Sequence, residues 1–323
     1  MNVLSVSTHS IREQFGPVTF DFVDPQGNDV HIDLPYPKLL RLSEFPVRAR
    51  DAFGVDSIET VAFQFAGLED PEISLFAAAL ASSGVRLLNV AIHFGDLLEV
   101  DNDKRAADIT VIEQWIDRFA AMGSQFVRVS PGSASRPHRG EKPPAHLIDA
   151  LTEIGLFANE RGTRLLVEND GGASSDPTWM RYLLDEVGRD ACGLLLDLGN
   201  FDVLTSRVMP ILLSGATGQP ADQVDLSDVL AGIDLTALYD GIDALADHAE
   251  LVSLKAHHVS DDGAVGFVDL ERALGILIAH GYVGPLSVEY DGNGGDPWAK
   301  CARILELATA VLGSSRTTMT GGQ

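Results

Sequence analysis

Short runs of β-branched and aliphatic residues recur along the chain, each followed by a longer stretch with helical spacing of its apolar positions. The runs are Val3 to Thr8, Ser57 to Phe65, Val85 to His93, Gln125 to Ser130, Arg164 to Glu168, Gly193 to Asp197, Leu251 to His257 and Pro285 to Tyr290. Ala106 to Met122 and Ala145 to Arg161 are the clearest of the amphipathic stretches between them. Eight strands alternating with helices predict an α/β fold of the (β/α)8 type, a closed parallel TIM barrel. The other arrangement with this rhythm is a doubly wound open sheet. No strand is followed by a Gly-x-Gly-x-x-Gly turn, which weakens its dinucleotide-binding version.

Two segments interrupt the rhythm. Val18 to Leu34 alternates around Asp24-Pro25-Gln26-Gly27-Asn28 and predicts a β-hairpin inserted after the first strand. Leu204 to Leu230 predicts a loop insertion after the sixth. Both follow strands and so fall on the face where barrel enzymes build their sites, as a lid, a subunit contact or plain loop variation. Residues 1–314 are expected to form one barrel domain. Residues 315–323, ending Met319-Thr320-Gly321-Gly322-Gln323, resemble part of an expression tag and are expected to be a disordered tail.

A chain of 323 residues with 45% apolar and 22% charged residues is long enough for such a barrel and its core. Acidic residues outnumber basic ones 47 to 23, for a formal charge of −24. That field repels polyanions, so nucleic acid is not the expected partner. Cys192 and Cys301 lie in apolar surroundings without zinc spacing and are expected as buried free thiols, which fits a reducing cytoplasm. The start of the sequence has no signal-peptide pattern, and no apolar run reaches the ~20 residues of a membrane helix.

The candidate chemistry sits at the ends of the late strands. Strand five ends Val167-Glu168-Asn169-Asp170, strand six Leu196-Asp197-Leu198-Gly199-Asn200, strand seven Leu254-Lys255-Ala256-His257-His258, and strand eight Val288-Glu289-Tyr290-Asp291. A carboxylate after a buried run is costly alone. Several converging on one cation would share its counter-charge. Glu168, Asp197, Glu289 and a histidine form an oxygen and nitrogen set suited to Mn²⁺ or Mg²⁺, with Co²⁺ and Zn²⁺ as further choices. Each residue taken singly also reads as an ordinary salt-bridge partner or cap. On the earlier strands, His9, His93 and Asp96 follow strand ends and Arg128 lies within the fourth, as candidate substrate contacts or as satisfied polar groups.

These segments, with Gly281-Tyr282-Val283-Gly284-Pro285-Leu286-Ser287-Val288-Glu289-Tyr290, resemble the xylose-isomerase-like sugar phosphate isomerase/epimerase superfamily across nearly the whole barrel. The resemblance implies that Glu168 and Glu289 are metal-binding glutamates that also move protons. It implies Asp197 as a further ligand and Asn200 as a contact to a substrate hydroxyl. Many members carry His-x-His on the seventh strand, the second histidine being on the metal. This chain has Ser253, Lys255 and His257 on one face. His257 is the expected ligand, with Lys255 as the alternative occupant of that place and otherwise an oxyanion stabiliser.

The activity so implied is metal-dependent isomerisation or epimerisation of a ketose, aldose or keto-sugar through an ene-diolate. Loss of a β-substituent from the same intermediate would make the protein a lyase or dehydratase. A deglycosylating subunit acting on a 3-keto glycoside, with a small partner chain, is a further reading, as is a non-catalytic sugar-binding barrel. Endonucleases of the same superfamily need more histidines and a surface tolerant of polyanions. The partner expected is a small sugar, with self-association or a small partner subunit left open.

Overall fold

The computed structural model describes residues 2–23, 29–132, 140–207, 232–292 and 295–320. The eight barrel strands are β1 (Leu4–Ser7), β4 (Ser57–Val61), β5 (Arg86–Ile92), β6 (Phe126–Val129), β7 (Arg164–Glu168), β8 (Gly193–Asp197), β9 (Ala249–Ala256) and β12 (Leu286–Tyr290). All are parallel to their neighbours, and β1 pairs with both β4 and β12, so the sheet closes on itself. Each expected strand is present, with ends shifted by a few residues. The second is the shortest relative to expectation, because Ala62–Gln64 turns into a 3-10 helix. The hairpin after β1 is also present: β2 (Val18–Val23) pairs antiparallel with β3 (Asp29–Leu34) in the register Val18 to Leu34. A second small ribbon, β10 (His258–Val259) with β11 (Val265–Gly266), follows β9. Most of the expected insertion after the sixth strand, residues 208–230, lies outside the described residues.

The surrounding helices are α1 (Phe45–Phe53), α2 (Pro71–Ser83), α3 (Asn102–Ala120), α4 (Ala145–Glu160), α5 (Pro177–Val187), α6 (Thr236–Leu245), α7 (Leu270–Ala279) and α8 (Pro297–Thr320). Aspartates start several of them. Asp70, Asp101, Asp176 and Asp269 each accept backbone N–H bonds from the first turn, satisfying donors that a helix start leaves free. Helix α8 runs to Thr320, past residue 314 where the sequence pattern ends. Cys192 and Cys301 are buried free thiols, and no described helix is long and apolar enough to cross a membrane.

Alternation divides each strand between two environments. Val127, Leu165, Val167, Leu194, Leu196, Val252, Leu254 and Val288 join the large core between sheet and helices. Leu88, Phe126, Leu166, Leu195 and Leu251 form a separate apolar cluster, consistent with the barrel's interior. On the other side, Ser57, Ser5, Ser287 and Ser253 stand in register on four adjacent strands. Glu59 and Asn89 pair beside them. The hydroxyls of Ser5, Ser253 and Ser287, both amide atoms of Asn89 and Oε1 of Glu59 are buried without a hydrogen-bond partner among the described residues. The barrel interior is therefore half apolar and half polar, with ordered water the natural partner for these atoms.

Glu59 is 6% exposed, and burial, reinforced by the charge of Glu289, pushes its carboxyl up to about 8. A raised folded-state value stabilises the fold fully below the unfolded value and loses that contribution as pH climbs through the folded one. Glu59→Gln removes the titration and keeps the shape. It should leave stability unchanged near pH 4.5 and raise it by about 1–3 kcal/mol at pH 8.5. Urea unfolding at the two pH values measures this, and an equal gain or loss at both would contradict it.

Candidate active site

The polar residues converge where the strands end. Glu168 closes β7 and Asp197 closes β8, both almost fully buried. Asn169 ties these two ends together. Its Nδ2 donates to the Asp197 carbonyl at 2.9 Å, and its Oδ1 accepts from the Asp197 N–H at 2.8 Å. A side chain thus extends the β7–β8 ladder by one rung and fixes both carboxylates relative to each other. Gly199 N donates to Asp197 Oδ1 at 2.7 Å. A Cβ on Gly199 would stand 3.1 Å from Lys255 Cγ and 3.3 Å from His257 Nε2, so glycine lets this loop lie against strand β9.

Lys255 points inward, as the shared face with Ser253 and His257 predicts. Its Nζ donates to Glu289 Oε1 at 2.8 Å, and lies 3.6 Å from Asp197 Oδ2 and 3.8 Å from Asp291 Oδ2. The lysine side chain is 9% exposed. Burial alone would lower its proton affinity, but Asp197, Glu289 and Asp291 together outweigh that and hold the ammonium charged well above its ordinary range. The same contact brings Glu289 down to about 2 against the effect of burial. Asp291 is likewise held well below its ordinary value, against burial, by Lys255, Arg12 and His9.

Across the site the balance differs. Arg128, 5% exposed, contacts Glu168 through Nε, lies 3.6 Å from Asp170 Oδ2 and donates to Ser130 Oγ at 3.2 Å. Asn200 Nδ2 donates to Glu168 Oε1 at 3.2 Å. One guanidinium is thus shared by two carboxylates. Burial, with Asp170, Asp197 and Glu289 adding to it, raises Glu168 well above its ordinary value despite Arg128. Asp197 is pushed up to about 6 by burial and Glu289, against Lys255.

The rim is aromatic and basic. His9 Nε2 lies 3.2 Å from Asp291 Oδ1, and Arg12 lies 3.4 Å from the same oxygen. Phe63 stands edge-on between His9 and His93, with ring centroids 6.4 and 5.3 Å away. Asp96 is not part of this wall: its carboxylate accepts from Leu98 N within its own loop. Arg12, Asp170 and Asp291 are site residues that the sequence reading did not assign. Asp170 and Asp291 each follow an assigned glutamate by two positions, the same-face spacing that could have found them. Arg12 sits in an irregular 3-10 turn with no periodic signal.

The four expected metal ligands come to the same end of the barrel, each beside another charged group. Glu168, Asp197, His257 and Glu289 lie at one end of the barrel, yet no three His, Cys, Asp or Glu side chains among the described residues are placed to hold a metal ion. Protein cations stand on these carboxylates. Arg128 is on Glu168, and Lys255 is between Glu289 and Asp197. His257 faces Asp291, 3.8 Å from Nδ1, and burial brings its imidazole down to about 4.

The model of the xylose isomerase-like TIM barrel family matches residues 47–307. The chain belongs to this family. No curated protein matches the sequence. Among solved structures, an L-ribulose 3-epimerase superposes with a TM-score of 0.67 at 16% identity, covering 99% of this chain and 97% of that one. A D-allulose 3-epimerase from Methylomonas sp. gives 0.63 at 13% identity, with coverage of 96% and 98%. A 3-keto-D-glucoside 4-epimerase from E. coli gives 0.59 at 15% identity, with coverage of 83% and 94%. At these identities the likeness establishes the barrel, and the chemistry has to be argued from the site.

Proposed function

We propose that this family member is a sugar epimerase that inverts a carbon next to a ketone by moving a proton between Glu289 and Glu168. The observation that carries this reading is the opposite perturbation of the two glutamates at one end of the barrel: Glu289 is pinned in its charged form by Lys255, and Glu168 is pushed toward its protonated form. Two carboxyls whose environments drive their proton affinities apart serve as base and acid. The epimerases with the same fold support the substrate class, since the names of all three describe sugars carrying a carbonyl.

The ionised Glu289 carboxylate takes the proton from the carbon beside the carbonyl. The C–H electrons become a carbon–carbon double bond, and the carbonyl π electrons move to oxygen. Glu168, on another strand, returns a proton to the opposite face, the double bond reverts to the ketone, and the configuration is inverted. Asn200, already bonded to Glu168, is positioned to meet a neighbouring hydroxyl. His257 Nδ1 is buried and makes no hydrogen bond among the described residues, which suits it to a polyhydroxylated ligand. His9, His93 and Phe63 form the rim over which a sugar ring enters.

The proton returned comes from the protein and hence from solvent. Incubation in deuterated water with L-ribulose, D-allulose, D-fructose or a 3-keto-glucoside should place one deuterium at the inverted carbon. The loss of that proton signal by NMR is the readout. Epimerised product retaining its original hydrogen would rule out the two-glutamate route.

A further inference from the structure

We infer that the Lys255 ammonium is the resident cation of this site, held by the Asp197 and Glu289 carboxylates that would otherwise be available to a divalent ion, and that turnover needs no divalent metal. The catalytic half of this inference rests on the epimerase reading above; the binding half stands on geometry alone.

Lys255 Nζ is within 2.8–3.8 Å of carboxylate oxygens from Glu289, Asp197 and Asp291, which arise from two strand ends and the turn after one of them. This is the convergence of negative charge that would otherwise attract a metal ion. Glu289 and Asp197, two of the residues that would hold such an ion, are both already beside the ammonium. A divalent cation held by the same carboxylates would repel the ammonium. The lysine has little freedom to withdraw. Its side chain is 9% exposed, and Gly199 lies close enough beside its stem that an added Cβ would crowd it. Arg128 on Glu168 takes a second of the expected ligands. His257 is turned toward Asp291. Three of the four expected ligands therefore have a protein cation as partner, and the fourth faces a different carboxylate.

An ammonium can serve the same step. As Glu289 takes the proton and the carbonyl oxygen becomes an enolate, a Lys255 N–H donates a hydrogen bond to that oxygen, while the other two N–H groups keep their carboxylates. No bond to nitrogen forms. After the proton returns from Glu168, the proton on Glu289 and the deficit on Glu168 are levelled by exchange with water, so atoms and charge balance over the cycle.

The full-length protein is dialysed against EDTA and titrated with Mn²⁺ by calorimetry and native mass spectrometry, and its deuterium exchange into the sugars above is followed with and without Mn²⁺. The wild type is expected to bind no Mn²⁺ with Kd below ~1 mM and to exchange at the same rate within about twofold in EDTA and in Mn²⁺. Lys255→Met should lose exchange by ~10²–10³-fold, as on removal of an oxyanion donor. Freed of its ammonium, the variant should acquire Mn²⁺ binding. Lys255→Arg, which keeps the charge, should remain free of Mn²⁺ and checks the outcome if the methionine variant fails to fold. One equivalent of Mn²⁺ bound tightly by the wild type overturns the inference, as does exchange abolished by EDTA and restored by Mn²⁺. If no sugar exchanges under either condition the epimerase reading fails, and the Mn²⁺ titrations of wild type and variants still decide whether Lys255 fills the cation's place.

Discussion

Glu289→Gln should bring solvent exchange at the sugar carbon down by ~10²–10⁴-fold while the protein stays folded. Glutamine has the size of the native side chain and no base. Lys255 sits 2.8 Å from the native carboxylate and favours its ionised form, on which the proposed role as base depends. Lys255 keeps Asp197 and Asp291 as partners in the variant, and the ammonium remains compensated. Glu168→Gln should behave differently. The base is intact, so for the epimer whose hydrogen faces Glu289 the carbon still exchanges with solvent. The acid on the other face is gone, so inversion falls by a similar ~10²–10⁴-fold. The ratio of exchange to inversion, measured on one sample by NMR and chromatography, should therefore rise steeply in Glu168→Gln alone. Near-normal inversion in both variants would sink the two-glutamate assignment, and equal loss of exchange and inversion in both would sink the division of labour.

Arg128→Met should destabilise the fold by about 3–5 kcal/mol at pH 7, the scale expected when one partner of a buried ion pair is removed. Arg128 and Glu168 are both nearly inaccessible, and Asp170 leans on the same guanidinium. Without it Glu168 is a buried carboxylate with Asn200 as its remaining neutral donor among the described bonds. The sign of the pH dependence follows. With Arg128 gone, Glu168, already raised, rises further and Asp170 loses the main charge that lowers it, and upward shifts of this kind cost the variant most at high pH and least at low pH. The deficit should thus narrow between pH 7 and pH 5 in urea unfolding. Arg128→Lys should not restore full stability, because a single ammonium does not reproduce the planar fork that reaches Glu168, Asp170 and Ser130. A stability within 1 kcal/mol of wild type at pH 7 would show that the pair contributes little.

The barrel was legible because each strand states its period plainly. Arg164–Glu168 and Gly193–Asp197 are apolar runs ending in a carboxylate, and the observed strands have those limits. Lys255 could be aimed inward from spacing alone, since turning it outward would have placed an ammonium among Val252, Leu254 and Ala256. What spacing does not encode is which cation meets which anion. Lys255 and Arg128 were both in view as candidate site residues, but a metal shell at Glu168, Asp197, His257 and Glu289 and a lattice of ion pairs among the same residues share one sequence pattern. The choice between them depends on ångström-scale placement of long side chains. Arg12 was hidden for another reason. It reaches the site from a 3-10 turn that contains a non-helical residue, Ile11, and no periodicity marks such a turn.

The seam of the barrel bears on how the molecule comes into being. Strand β1 pairs with β4 on one side and with β12 on the other, and His9 meets Asp291 across 282 positions of chain. During synthesis β1 leaves the ribosome before the other seven barrel strands, and its second neighbour β12 leaves after all of them. Until then one edge of β1 offers unpaired backbone groups to any extended strand nearby. The site is completed in the same event, since Glu289 and Asp291 arrive with β12. A ribosome stalled before residue 286 would therefore hold an open sheet in which Lys255 lacks Glu289 and Asp291, prone to edge-to-edge association. Barrel closure and catalytic competence should appear together, late, in a single kinetic step.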